Sequence, residues 1–193
     1  MRCPVALGGG SDTLQRINSM DPFNHDTASQ LHDLLRKRRQ RIVFAESCTA
    51  GLISASLGRL PGISGLLAGA AVVYQIETKA EWLGVEREAL VNPGPVSQIV
   101  SEQMARGVLQ RTPQATIAAS VTGHLGPNAP QKQDGIAWAS VAMHVAGEVI
   151  VSSRQLKLDD GIAGEEDSTG LRQTRQILAV QLVLQFCLDQ LQI

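Results

Sequence analysis

Three short apolar runs, separated by stretches with helical spacing, constrain the fold of this chain most strongly. They are Ile42–Ala45, Ala68–Tyr74 and Ala115–Val121. The first run is apolar at every position and the other two lack charged residues, a pattern typical of strands covered on both faces of a sheet. Because such strands alternate here with helical segments, the pattern predicts helices on both faces of the sheet, which is a three-layer α/β arrangement.

The remaining periodicity completes the order of elements. Helices are predicted at about 28–39, 52–60 and 79–83, then from Ser97 onward, and finally through Ile177 to Leu191. The segments 136–145 and 148–158 flank Ala146-Gly147, which indicates a hairpin. Since a hairpin is antiparallel, we predict a single α/β domain with three α/β/α layers and a mixed, mostly parallel sheet.

The length of the chain fits one such domain. Its 193 residues are 44% hydrophobic and 18% charged, a balance that disfavours global disorder. Residues 1–27 lack a sustained period and contain three consecutive glycines, so we expect a disordered N-terminal tail. The folded domain is then predicted to span residues 28–193.

Composition also excludes several classes of function. A net charge of −1 excludes a globally basic nucleic-acid binder, and 3% aromatic residues disfavour a surface that stacks on bases. The longest uncharged apolar run, Leu60–Ile76, contains Pro61 and several glycines and is short for a membrane helix. With no signal peptide pattern and three widely spaced cysteines, we expect a cytoplasmic protein with reduced thiols.

The strongest site candidate is the segment Glu46–Gly51, which joins a predicted strand to a predicted helix. Ligands on such sheets usually bind beyond the carboxyl ends of the strands. A hydroxyl at this position could attack a carbonyl carbon, while nearby backbone N–H groups stabilise the oxyanion. The alternative is that Ser47 or Thr49 is an ordinary N-cap of the helix.

A nucleophilic serine needs a base, and two kinds are available. His124, in the long loop after the third strand, is the only plausible histidine for a triad. Lys79 could act instead if burial lowers its pKa, and Tyr74 precedes it by five residues. Alternatively, Tyr74 is a core ring and Lys79 a solvated charge. Cys48 is a further candidate nucleophile, or a small buried thiol.

Six motifs in collinear order resemble the CinA C-terminal domain family, over about residues 30–190. Since the chain shows no sign of the N-terminal domain often fused in that family, it resembles the standalone form. The motifs are Ala45–Gly51, Leu60–Ser64, Val73-Tyr74 with Lys79 and Leu83–Val85, Gly94–Ser97, Val121–Gly123 with Gly126-Pro127, and Gly135–Trp138.

The resemblance implies a nicotinamide-nucleotide amidohydrolase, which converts nicotinamide mononucleotide to nicotinic acid mononucleotide and ammonia without a metal or other cofactor. It implies that Ser47 is the nucleophile, Lys79 its general base and Tyr74 a hydrogen-bonding partner in the relay. We expect backbone N–H groups at Cys48 and Thr49 to form the oxyanion hole. The glycine-rich loop is expected to approach the nucleotide by its backbone. The substrate-side residues are expected to be Thr122, Gly123, Gly126 and Arg172.

Three departures from the family pattern lie on the expected substrate side. Ile76 replaces an asparagine, Asn128–Gln131 lacks paired glycines, and Ser168 replaces an arginine, with Arg172 matching the arginine that follows. These changes motivate an alternative function, namely an inactive or substrate-shifted relative that binds nucleotides or serves as a scaffold.

Two surface features bear on partners. The last helix is apolar around much of its circumference, so we expect a homodimer. The basic run Arg36–Arg41 ends a predicted helix, where positive charge favours the helix dipole. RNA binding by this run is a weaker alternative, and the overall expectation is a nucleotide substrate with no nucleic acid and no membrane.

Overall fold

The computed structural model describes residues 25–126, 128–130, 132–158 and 168–192. These residues form a five-stranded sheet and six α-helices, together with one turn of 3₁₀ helix at Ile63–Gly65. The strands are β1 (Ile42–Glu46), β2 (Leu67–Val72), β3 (Ile117–Gly123), β4 (Ile136–Val145) and β5 (Glu148–Lys157). The helices are α1 (His25–Arg38), α2 (Leu52–Gly58), α3 (Ile76–Leu83), α4 (Arg87–Val91), α5 (Gln98–Gln110) and α6 (Ser168–Gln192).

The sheet has the order β2-β1-β3-β4-β5 and is mixed, as predicted. β1 pairs in parallel with both β2 and β3, whereas β4 pairs antiparallel with β3 and with β5. Four of the five strands therefore run in the same direction. The hairpin turns at Ala146-Gly147, where both residues have positive φ, as a tight two-residue connection requires.

The side chains of β1 alternate between the two faces of the sheet, and each face contributes to a separate hydrophobic core. Ile42 and Phe44 pack with α1, α2 and α6 on one face, and Val43 and Ala45 pack with α3, α4 and α5 on the other. All five residues of β1 are buried, as the continuous apolar run indicated. The three-layer α/β/α prediction is confirmed.

The structure differs from the sequence predictions in three details. β2 is an edge strand, and Val72 at its end is 40% exposed, so this apolar run is not buried on both faces. Helix α4 was not predicted, because five residues are too few to show a helical period. Ser97 occupies the N-cap position of α5, but its hydroxyl donates to the Gly94 carbonyl rather than capping the helix.

Helix α6 buries its wide apolar surface within the chain. Val180, Val183, Leu184 and Leu188 are at most 2% exposed and belong to the core shared with α1 and α2. The apolar circumference of α6 therefore has an intramolecular explanation and gives no support for a dimer. Among the helices described here, none has the length and apolar character needed to cross a membrane. Most of the predicted tail and residues 159–167 lie outside the described residues.

Candidate active site

The carboxyl ends of β2, β1 and β3 lie side by side, because Glu46 is in register with Val72 on one side and with Val121 on the other. The segments that follow these ends surround a cleft of about 260 Å³, which is where open α/β sheets usually bind ligands. The cleft is lined by Ser47, Cys48, Tyr74, Ile76, Lys79, Pro95, Val96, Thr122, Gly123, His124, Leu125, Gly126, Asn128, Ala129 and Arg172.

A serine and a lysine meet at the base of this cleft. Lys79 Nζ lies 2.6 Å from Ser47 Oγ and 2.7 Å from the carbonyl oxygen of Val73. The two side chains come from different elements, since Ser47 follows β1 and Lys79 lies one turn into α3. A separation of 2.6 Å is within the reach required for proton transfer between a nucleophile and its base.

Burial determines which of these groups can react. Lys79 is 2% exposed, and desolvation lowers its pKa to about 8. Desolvation also raises the pKa of the Cys48 thiol to about 12. At pH 7 roughly a tenth of the lysine is therefore uncharged and can accept a proton, a share that rises with pH, while the thiol stays protonated. The interpretation of Lys79 as a solvated charge is wrong, and the alternative of Cys48 as a thiolate nucleophile is disfavoured.

The N-terminus of α2 is already occupied by a side chain of this protein. The buried carboxylate of Glu46 accepts hydrogen bonds from the Thr49 hydroxyl and from the N–H groups of Gly51, Ile53 and Ser54, at 2.8–3.1 Å. These donors are therefore not available to a substrate oxyanion. The Thr49 side chain is 1% exposed and does not line the cleft, and neither Ser47 nor Thr49 caps the helix.

Two backbone N–H groups in the nucleophile turn, residues 47–51, stay available. Ser47 N–H donates to the Val121 carbonyl, and Ala50 N–H donates to the Ser47 carbonyl. Within the described part of the chain, no backbone carbonyl accepts from the N–H groups of Cys48 and Thr49. The expected oxyanion donors are thus the two N–H groups of this turn that bind neither a backbone carbonyl nor the Glu46 carboxylate among the described residues.

Tyr74 contacts an arginine rather than the serine–lysine pair. Its ring is 50% exposed, which excludes the core position considered above, and its hydroxyl hydrogen-bonds with Arg172 Nη2. Arg172 Nη1 also donates to the Gly126 carbonyl at 2.7 Å. Tyr74, Arg172 and Gly126 therefore form one side of the cleft mouth, and a direct place for Tyr74 in the proton relay is not seen among the described residues.

The end of β3 and the start of the loop after it line the cleft as well. The Thr122 hydroxyl donates to the Pro95 carbonyl at 2.8 Å. A Cβ atom on Gly123 would lie 2.5 Å from the Ala137 Cβ, so only glycine fits there. His124 lines the cleft and burial lowers its pKa, but the recorded partner of the Ser47 hydroxyl is Lys79. The triad interpretation is therefore not supported.

Charge in the cleft is positive. Lys79 and Arg172 line it, and no acidic side chain is found among its described lining residues. Ile76, 44% exposed, presents an apolar side chain to the same space. Of the other departures, Asn128 and Ala129 line the cleft, whereas Gln131 and the Ser168 side chain lie outside the described residues.

Sequence reasoning missed two groups that hold this site together. Arg175, 3% exposed, makes a two-pronged ion pair with Asp134 at 2.9 Å and so ties the β3–β4 loop to α6. Gln176 Nε2 donates to the Cys48 carbonyl at 3.1 Å. The i, i+4 spacing of Arg172 and Gln176 could have indicated this, because it places both side chains on one face of the helix. The position of Glu46 directly after a strand and before a helix was a second such indication.

The fold and site define an α/β protein with a buried serine–lysine pair at the carboxyl edge of a mixed sheet. The family model of the CinA C-terminal domain matches residues 24–170, and the chain belongs to this family. A CinA-like protein from Mycobacterium marinum is 38% identical over 133 residues, which are 65% of this chain and 31% of that protein. The chain thus spans about a third of the length of the curated relatives it matches.

One solved structure agrees with this family assignment, and a second has the same fold. The competence/damage inducible protein CihA from Agrobacterium tumefaciens is 27% identical, with a TM-score of 0.72 over 89% of this chain and 96% of that chain. The competence damage-inducible protein A (ComA) from Klebsiella pneumoniae has a TM-score of 0.71 over 83% of this chain and 92% of that chain. At 24% identity, the second likeness supports the fold alone.

Proposed function

We propose that this protein hydrolyses the carboxamide of nicotinamide mononucleotide, giving nicotinic acid mononucleotide and ammonia. The observation that carries the proposal is the 2.6 Å contact between Lys79 Nζ and Ser47 Oγ at the base of the cleft. Burial of the lysine supports it, since a lysine with a pKa of about 8 is a competent general base near neutral pH. The family resemblance supplies the substrate.

The first half of the reaction forms an acyl-enzyme. The uncharged Lys79 directs one N–H to the Val73 carbonyl, which leaves its lone pair for the Ser47 hydroxyl proton. Ser47 Oγ attacks the carboxamide carbon while Lys79 takes that proton, and the carbonyl oxygen becomes an oxyanion. The N–H groups of Cys48 and Thr49 stabilise it. The C–N bond then breaks, and Lys79 returns the proton to the departing ammonia.

The second half hydrolyses the ester on Ser47. A water molecule replaces ammonia in the cleft and attacks the acyl carbon while Lys79 accepts its proton. The second tetrahedral intermediate collapses by breaking the bond between Ser47 Oγ and the acyl carbon. Lys79 protonates the serine oxygen, and the product leaves as the carboxylic acid, whose proton passes to the released ammonia in solution. The lysine thus acts once as base and once as acid in each half-reaction, and no cofactor is required by the balance of atoms.

The charge of the cleft suits a phosphorylated substrate. Arg172 uses two of its five N–H donors on the Tyr74 hydroxyl and the Gly126 carbonyl, and the remaining donors can reach a phosphate. The absence of acidic side chains among the described lining residues favours an anion there. Thr122 and Gly123, at the end of β3, border the same space.

Ile76 favours a second candidate function. An exposed isoleucine lines the cleft where the family pattern has an asparagine, so this position offers no hydrogen bond to a polar substrate group. A relative that binds a nucleotide without turning it over, or that hydrolyses a different carboxamide, would show this change. Thermal stabilisation by nicotinamide mononucleotide without ammonia release would support the binding-only function.

The deciding experiment measures ammonia and nicotinic acid mononucleotide together, with purified protein and nicotinamide mononucleotide. Ser47→Ala and Lys79→Met should abolish turnover with the fold intact, and higher pH should not restore the lysine variant. Ser64→Ala and Lys157→Met are matched controls, because both residues are exposed and outside the cleft. Full activity of Ser47→Ala, or no turnover by the folded wild-type protein, would refute the proposal.

A homodimer is also part of the proposal. Because the apolar surface of α6 is buried within the chain, the dimer interface has to involve another surface. Trp82 and Val91 are 54% and 84% exposed, the highest fractions among the large exposed apolar side chains of the described residues, and a second subunit could cover them. Light scattering after size-exclusion chromatography measures the mass directly. A monomer at micromolar concentration would contradict this part.

A further inference from the structure

One face of α6 contacts the segments that follow all three parallel strands. Arg172 reaches the Tyr74 hydroxyl after β2 and the Gly126 carbonyl after β3, and Gln176, one turn later, reaches the Cys48 carbonyl after β1. The Gln176 contact joins residues 128 positions apart in the chain. Through this contact, the face of α6 that carries Arg172 and Gln176 holds the nucleophile turn.

The Cys48 carbonyl has a specific chemical relation to the proposed oxyanion hole. The carbonyl of Cys48 and the N–H of Thr49 belong to the same peptide group, which is planar and holds the two bonds antiparallel. A donor bound to the carbonyl fixes the plane of this peptide and therefore the direction of the Thr49 N–H. It also polarises the peptide, which strengthens the N–H as a donor.

Other contacts of the nucleophile turn leave this peptide to Gln176. Glu46 binds the Thr49 hydroxyl and the following N–H groups, and the Val121 carbonyl binds Ser47 N–H. Among the described residues, Gln176 is the donor recorded for the Cys48 carbonyl. Its amide is partly buried, so water competes weakly for the same oxygen.

We infer that Gln176 is a positioning residue of the active site, which orients the peptide between Cys48 and Thr49 so that the Thr49 N–H can stabilise the oxyanion. The inference rests on the proposed serine–lysine chemistry, but not on nicotinamide mononucleotide being the substrate. Misplacing one such donor without removing it should slow the chemical step roughly 10- to 100-fold.

The test uses a fluorophosphonate, which reports on the nucleophile whatever the natural substrate is. Ser47 Oγ forms a bond to phosphorus, the phosphorus–fluorine bond breaks with release of fluoride, and Lys79 takes the hydroxyl proton. We expect Gln176→Leu to be labelled at Ser47 at least about 10-fold more slowly than the wild-type protein. Gln185→Leu is the matched control, since this exposed glutamine of α6 has its side-chain hydrogen bond, within the described part of the chain, to Asp189 one turn along.

Gln176→Glu distinguishes orientation from packing. The ionised glutamate has the shape of glutamine but only acceptor oxygens, so it repels the Cys48 carbonyl, whereas the protonated acid can donate to it. We expect the ratio of Gln176→Glu to wild-type labelling rates to rise as the pH falls through the titration of the introduced acid. A pH-independent ratio, or labelling of Gln176→Leu within twofold of the wild-type rate, would overturn the inference.

Failure of the inference and failure of the proposed function are distinguishable. If wild-type Ser47 is labelled but nicotinamide mononucleotide is not hydrolysed, the proposed substrate is wrong and the variants still decide the role of Gln176. If Ser47 of the folded wild-type protein is not labelled at all, there is no activated serine to position, and both proposals fail. Slow labelling of Gln185→Leu would assign the effect to α6 as a whole and overturn the specific role.

Discussion

The hydrogen bonds of the buried Glu46 carboxylate stabilise the nucleophile turn, and substitution of Glu46 can measure how much they contribute to the free energy of unfolding. One of its oxygens accepts three hydrogen bonds, from the Thr49 hydroxyl and the N–H groups of Gly51 and Ile53, and the other accepts one from Ser54 N–H. The side chain is 0% exposed. Replacing Glu46 by glutamine keeps its size but changes one oxygen to an amide donor and removes the charge.

The expected cost follows from these four contacts. If the glutamine oxygen keeps the three-donor position, each of those bonds loses roughly 0.5–1 kcal/mol of charge assistance. The amide NH₂ group then faces the N–H of Ser54, and this donor–donor contact costs roughly 1 kcal/mol more. Glu46→Gln should therefore lower the free energy of unfolding by about 3 kcal/mol, a large share of the about 5–15 kcal/mol typical of a domain.

Urea unfolding of Glu46→Gln at pH 7 measures this change. Glu77→Gln is the matched control, because it is the same substitution at an exposed position in the first turn of α3. Substitutions at such surface positions usually have small effects on stability. A difference of less than about 0.5 kcal/mol between the two variants would refute the reasoning. It would mean that water or backbone movement replaces the contacts of the carboxylate.

The other predictions concern the cleft and its walls. The rate constant kcat/KM should rise with pH and level off above an apparent pKa of about 8, because the unprotonated Lys79 is the active form; a flat profile from pH 6 to 9 would contradict this. Ile76→Asp should move that limb to higher pH, since a carboxylate one helical turn from the lysine favours its charged form, while Ile76→Asn, of similar size, should leave it in place. Gly126→Ala should destabilise the protein and Gly147→Ala much less, as judged by thermal unfolding. Both have positive φ, but only the Gly126 Cβ would meet a buried arginine, at 2.7 Å. Iodoacetamide at pH 8 should modify Cys48 only after unfolding, as seen by site-resolved mass spectrometry, because burial raises the pKa of its thiol to about 12.

Local patterns predicted the elements whose cause is local. The continuous apolar run of β1 and the Ala146-Gly147 turn are each decided by a few neighbouring residues, and the structure has them where expected. Gly84 ends α3 with a φ of 73°, the left-handed conformation that glycine favours. By contrast, the edge position of β2 depends on sheet order, which no local pattern encodes.

The site required information that spacing does not contain. Ser47 and Lys79 are 32 residues apart, and they meet because β1 and β2 are parallel neighbours and α3 begins close to the end of β2. The family resemblance pointed to the pair, but its geometry and burial came only from the structure. The resemblance gave Tyr74 a relay role, whereas the structure places its hydroxyl on Arg172, a residue 98 positions away.

The alternation of side chains along β1 explains why a glutamate can stand beside the nucleophile without disabling its base. Glu46 has the same parity as Phe44 and faces α2, whereas Val43 and Ala45 face the core of α3, which carries Lys79. A carboxylate close to that lysine would favour its charged form and raise its pKa. A one-residue slip of the strand would turn Glu46 toward α3. The register of β1 therefore keeps the carboxylate as a structural anion at the helix N-terminus and leaves the lysine uncharged enough to act as a base.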